Sequence, residues 1–91
     1  MNSVRIYIEF SLPFKKQLKK LNPKIIKKLN NLLKILAENP YNPKLKTHKL
    51  RGKLKNKYAF YVSPNIRVIF TYINKTTVLL IGIGSHDDLY R

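Results

Sequence analysis

Four residues of this chain have the types and placement that chemistry needs: His48, Arg67, His86 and Tyr90. Histidine takes or gives a proton near neutrality, so two of them on separate loops can bracket a scissile phosphate, one as base and one as acid. His48 falls in a basic stretch, and His86 in Gly84-Ser85-His86-Asp87-Asp88-Leu89-Tyr90. Neither lies on an apolar stripe, so neither is expected in a core; for His48, simple exposure is the other reading. Arg67 sits in a strand pattern between Ile66 and Val68. A cation inside an apolar strand needs a partner or a ligand. Either Asp87 or Asp88 pairs with it, or its planar fork takes a phosphate. Tyr90 lies beyond the last strand, beside His86.

The charge points the same way. Nineteen Lys+Arg face four Asp+Glu, a formal +15 at pH 7. The acids are Glu9, Glu38, Asp87 and Asp88, so none falls between positions 38 and 87. AT-rich codons account for lysine over arginine, but not for the scarcity of acids. A field of this sign draws polyanions, nucleic acid or the ribosome ahead of an anionic membrane. Lys46, Lys49, Arg51, Lys53, Lys55 and Lys57 are the expected RNA-backbone contacts, with Tyr61 as an aromatic for unpaired bases. Tyr72 is expected to pack against its own sheet.

Other chemistries are poorly served. There is no cysteine, hence no disulfide, thiol nucleophile or Cys-ligated zinc. The two histidines lack metal-ligand spacing, and the positive field opposes a cation. No cofactor is expected. No glycine-rich phosphate loop, nucleophile elbow or carboxylate pair occurs. No apolar run approaches the roughly 20 residues of a membrane helix, and the alternating start is unlike a signal peptide. The expected location is the cytoplasm.

The elements that must position these residues can be read from the pattern. Val4, Ile6, Ile8 and Phe10 alternate as a half-buried strand. Ser11 caps a first helix with Pro13 in its first turn and Phe14, Leu18 and Leu21 on its apolar side. Asn22-Pro23 closes it and starts a second, whose stripe runs through Ile25, Ile26, Leu29, Leu32, Leu33 and Leu36 to Glu38. So short a joint predicts an αα-hairpin, its lysines a solvated face. From Asn39 to Asn56 an irregular basic loop is predicted, tethered by Leu45, Leu50 and Leu54. Strands follow at Tyr58–Val62, Ile66–Ile73 and Thr77–Ile83, joined by tight turns. The result is an α+β fold in the order β-α-α-β-β-β, a helical hairpin on a mostly antiparallel four-stranded sheet, in one domain over residues 1–91.

This order, the segment His48-x-Leu50-x-Gly52, the strand from Asn65 to Tyr72 and the ending from Gly84 to Tyr90 together resemble the RelE/ParE superfamily of type II toxins, closest to its RelE/YafQ-like branch. The resemblance spans essentially the whole chain. It implies a toxin that enters the ribosomal A site and cuts mRNA by 2′-OH attack without a metal. It also implies a cognate acidic antitoxin, in a toxin–antitoxin hetero-oligomer that covers the active groove. By position, His48 and His86 match the family's acid/base histidines. Arg67 matches the arginine that contacts the scissile phosphate, and Tyr90 the aromatic that orients the substrate. The chain departs from the pattern at Tyr61, where YafQ-like members carry histidine, and at Asn65-Ile66, where they carry Asp-Trp. It also has Gly82 where they carry arginine. RelE's paired lysines would fall on Ala59 and Tyr61. Two other readings are a ParE-like gyrase poison, which the histidines oppose, and a degenerate toxin that only binds its antitoxin, which Gly82 and Ala59 favour.

Overall fold

The computed structural model describes residues 5–89, with the Asp88 side chain excepted. Val4 and Tyr90 lie outside the described residues. Eight elements follow in chain order: β1 (Tyr7–Phe10), α1 (Leu12–Leu18), α2 (Pro23–Glu38), β2 (His48–Lys49), β3 (Tyr58–Ser63), β4 (Ile66–Asn74), β5 (Thr77–Gly84) and the short α3 (His86–Leu89).

The helix boundaries follow the chain's own capping chemistry. The Ser11 hydroxyl accepts from the Phe14 amide at 3.2 Å, and the Asn22 side chain accepts from the Lys24 amide at 2.7 Å. Each satisfies an amide that the first helical turn leaves without a partner. Proline at the start of each helix costs no hydrogen bond there. Leu21 falls beyond the end of α1, although it stays half-buried.

The sheet has five strands in the order β1-β5-β4-β3-β2. β1 runs parallel to β5, and the other neighbours are antiparallel. The α+β class therefore stands, but the sheet has one strand more than the four expected. The addition is β2, inside the segment expected to be irregular. It pairs His48 with Ala59 and Lys49 with Tyr58, and the Leu50 amide continues the ladder to the Lys57 carbonyl at 2.9 Å. Two residues carry no readable alternation, so this strand exists through its pairing.

The helix-covered face of the sheet holds the main core. Phe14 from α1 and Leu29 and Leu36 from α2 pack on Phe60, Val62, Val68, Phe70, Val78, Leu80 and Ile83. The opposite face carries a smaller cluster of Leu50, Ala59 and Ile69, flanked by Leu54, Ile81 and Leu89. The basic loop and α3 thus share the face that the helices leave uncovered.

One register irregularity matters later. Ile69 pairs with Gly82 and Phe70 with Leu80, so Ile81 is an extra residue in β5. β1 also ends at Phe10, opposite Leu80. Beyond that point β5 has lost its parallel neighbour, and the Gln17 side chain replaces it by accepting from the Ile83 amide at 2.9 Å. An unpaired strand amide at a half-buried edge is costly, and α1 supplies the missing acceptor.

Candidate functional site

Cross-strand pairing sets the side chains of the uncovered face in rows. One row is Tyr61, Arg67 and Gly84; the next is His48, Ala59, Ile69 and Gly82. Gly84 stands two residues before His86, so the strand end that carries His86 is the one beside Arg67. His48 lies at the far edge. Three strand spacings separate it from Gly82, on the order of 14 Å. The two histidines therefore flank a floor of small and apolar residues rather than touching.

Arg67 is half-buried, and its described partners are a backbone carbonyl and an aromatic ring. Nη1 donates to the Ser63 carbonyl at 3.0 Å, and Cζ lies 5.0 Å from the centre of the Tyr61 ring. Among the described residues no ion pair joins it to Asp87. The Tyr61 ring also attracts Lys46, whose Nζ is 4.6 Å from its centre, and Lys28, at 6.0 Å. Cations over a tyrosine face are held by its quadrupole. Tyr61, Lys46 and Arg67, separate in the sequence reading, thus form one group. Lys28 was missed there, because a lysine on the polar side of a helix carries no mark that sets it apart from its neighbours.

His48 is exposed, and its Nδ1 lies 3.2 Å from the Lys46 carbonyl. A carbonyl oxygen only accepts, so this contact places the proton on Nδ1 and leaves the Nε2 lone pair bare in the neutral ring. His86 opens α3. Its Nδ1 lies 3.9 Å from Asp87 Oδ1, with the two side chains 77% and 91% exposed. The basic loop is ordered by its leucines: Leu45 is fully buried, Leu50 nearly so and Leu54 partly. Lys49, Arg51, Lys53 and Lys55 point to solvent, while Lys57 is half-buried. Tyr90 lies outside the described residues.

Two cavities among the described residues touch the floor of this arrangement but not its charged groups. The larger, about 540 Å³, is lined by Gln17, Lys20, Leu21, Asn65, Ile66, Ile83, Gly84 and Ser85. The smaller, about 220 Å³, opens among Gln17, Leu54, Ile69, Ile81, Gly82 and Leu89. Neither is lined by His48 or Arg67, so the open face, with its charges, is the better candidate. A side chain at Gly82, where YafQ-like members carry arginine, would require the end of the Leu89 side chain to give by a few tenths of an ångström. A Cβ there would stand 3.1 Å from Leu89 Cδ2 and 3.6 Å from Gln17 Oε1. The Tyr72 phenol does not carry protons at neutral pH. Burial first, then Tyr41 and Tyr58 nearby, push the Tyr72 phenol from 10.0 up to about 12.

Lys46 itself is held in a left-handed conformation, at φ 50°. Only glycine adopts this region without steric cost. Lys46→Gly is therefore expected to raise stability by about 0.5–1 kcal/mol, read as a higher urea midpoint. A lower midpoint would show that the lysine side chain, through Tyr61, outweighs the strain.

The fold is that of the small RelE-like toxins. Residues 6–91 match the family model described as "Bacterial toxin of type II toxin-antitoxin system, YafQ". The chain belongs to this YafQ toxin family. The crystal structure of YafQ from E. coli strain BL21(DE3) is similar, with TM-score 0.80 and 23% identity over 96% of this chain and 100% of that one. The RelBE2 toxin–antitoxin complex from Mycobacterium tuberculosis aligns with TM-score 0.77 and 19% identity, covering 91% of this chain and 100% of the other. A metal-bound toxin from Helicobacter pylori is 30% identical, with TM-score 0.67, over 93% of this chain and 99% of its own. No curated protein sequence matches the chain.

Proposed function

We propose that this toxin is a ribosome-dependent mRNA endoribonuclease that inhibits translation by a metal-independent reaction. The observation that carries the reading is the row Tyr61, Arg67, Gly84. It sets a fixed guanidinium beside the strand end that bears His86. His48, with Nε2 bare, is the base that takes the ribose 2′-OH proton. The 2′-oxygen then bonds to the adjacent phosphorus, and the bond to the 5′-oxygen breaks. His86 is the acid that protonates that oxygen, leaving a 2′,3′-cyclic phosphate and a 5′-hydroxyl. Arg67 meets the charge that gathers on the phosphorane, where a preorganised cation acts most strongly. Tyr90 is assigned to orienting the substrate, and the loop cations Lys49, Arg51, Lys53, Lys55 and Lys57 to its backbone.

The partner proposed is an acidic antitoxin. A formal +15 on 91 residues repels itself and is relieved by a counter-charged mate. Relatives crystallised as toxin–antitoxin complexes, DinJ–YafQ from E. coli and RelBE2, support it. The proposed place of action is the cytoplasm, where ribosomes are.

The test is primer extension on an mRNA incubated with purified protein, with and without translating ribosomes. Cuts within the translated frame, present only with ribosomes, are the expected result. Intact mRNA together with inhibited gyrase would replace this reading with the ParE-like one.

A further inference from the structure

The polar side of α2 carries Lys24, Lys27, Lys28 and Lys34, all exposed. Lys28 differs from the others in where its ammonium ends up. It reaches across the edge of the sheet to the Tyr61 ring, 6.0 Å from its centre. The edge is open to it because β2 covers only Tyr58 and Ala59 of β3, leaving Phe60 to Ser63 without an outer strand. Lys46 at 4.6 Å and Arg67 at 5.0 Å approach the same ring.

Three cations thus converge on one ring, each within 6.0 Å of its centre. No described carboxylate relieves them. Glu9 is on β1 at the opposite edge of the sheet, and Glu38 ends α2 ten residues from Lys28, about 15 Å along the helix. Asp87 lies beside His86. The cluster is also held in place. Arg67 is tied to the Ser63 carbonyl, and the backbone of Lys46 is bonded to the Pro43 carbonyl at 3.2 Å. Gathered like charge, with no acid against it among the described side chains, is best met by an anion from outside.

We propose that Lys28 and Lys46, assembled on Tyr61 beside Arg67, form a binding site for the backbone phosphate next to the scissile one on single-stranded RNA. The site carries the RNA path off the uncovered face and round the β3 edge onto α2. Tyr61 is its positioning residue: the ring holds the cations. The choice of RNA rests on the function proposed above. Binding is measured without cleavage, so the two readings fail separately.

The experiment is fluorescence anisotropy with a short 2′-O-methyl oligoribonucleotide, which cannot be cut by 2′-OH attack, titrated across a range of salt. Lys28→Gln is expected to weaken binding several-fold at low salt and to lower the slope of log K on log salt by up to about 0.7, the whole of one phosphate contact on a single strand. Tyr61→Phe keeps the ring and should lose less affinity than Tyr61→Leu. Tyr61→Leu should lose affinity although it removes no charge, with circular dichroism confirming its fold. Lys34→Gln, on the same helix outside the cluster, is the control. A Lys28→Gln protein indistinguishable from Lys34→Gln overturns the site. Equal losses in Tyr61→Phe and Tyr61→Leu overturn the role of the ring. If Lys28→Gln weakens binding of a polyglutamate peptide and leaves RNA binding unchanged, the cluster serves an acidic protein and the proposal falls.

Discussion

His86→Ala is expected to fold like the wild type and to cut translated mRNA about 100- to 10,000-fold more slowly, the usual loss when a positioned proton carrier is removed. The fold should survive because the side chain is 77% exposed and its contact with Asp87, at 3.9 Å, is a surface one. Pairs of that kind contribute roughly 0–1 kcal/mol. The loss belongs to the chemical step. The cations that would hold RNA sit on β2, β4, α2 and the loop, and none of them is altered. A single-turnover assay on ribosome-bound mRNA should show a slower step at unchanged saturation. Undiminished cleavage by a folded His86→Ala protein would remove His86 from the mechanism.

Phe70→Ala carries the largest expected loss of stability. Phe70 is fully buried in the middle of the central strand, with the Tyr58 ring stacked at 5.5 Å and Phe60 and Tyr72 at 6.2 and 5.9 Å. Truncating a buried phenylalanine costs about 3–5 kcal/mol, through lost burial and the cavity left behind. A chain of 91 residues has a total stability on the order of 5–14 kcal/mol. The variant should therefore unfold at much lower urea, with a melting temperature lower by tens of degrees, since each kcal/mol shifts a domain of this size by roughly 4–8 °C. A shift of only a few degrees would mean that the neighbouring rings collapse into the space.

Much of the scaffold was legible because its signals are local. Ser11 and Asn22-Pro23 mark helix starts through hydrogen bonds that their own side chains make. The alternation from Tyr58 to Ile83 marks three strands, because each buries one face. What was hidden depends on contacts distant in sequence. The partner of β1 is β5, nearly seventy residues on, and no pattern within β1 announces it. β2 is too short to carry a period. His48, Arg67 and His86 stand out by residue type, but their separation across the sheet comes only from the register. Gln17 could have been noticed as the one uncharged polar residue among Lys15, Lys16, Lys19 and Lys20, yet its acceptor role depends on where β1 stops. Nothing in α2 told Lys28 from its neighbours.

The extra residue at Ile81 makes the molecule sensitive to parity. Counting on from the Phe70–Leu80 pair with no surplus residue, Ile83 would fall opposite Arg67 and Gly82 opposite Val68. With Ile81 inserted, Gly84 stands opposite Arg67, and Ile83, only 2% exposed, turns into the core. One added position thus exchanges the two sides of the strand from there onward, since side chains alternate with a period of two. The guanidinium gains a neighbour with no side chain to crowd it, and the core gains an isoleucine in place of a glycine. Between Leu80 and Gly84 the number of residues is therefore a stricter inheritance than most of their identities. A changed side chain alters one contact, whereas a changed count inverts the phase of everything that leads to His86.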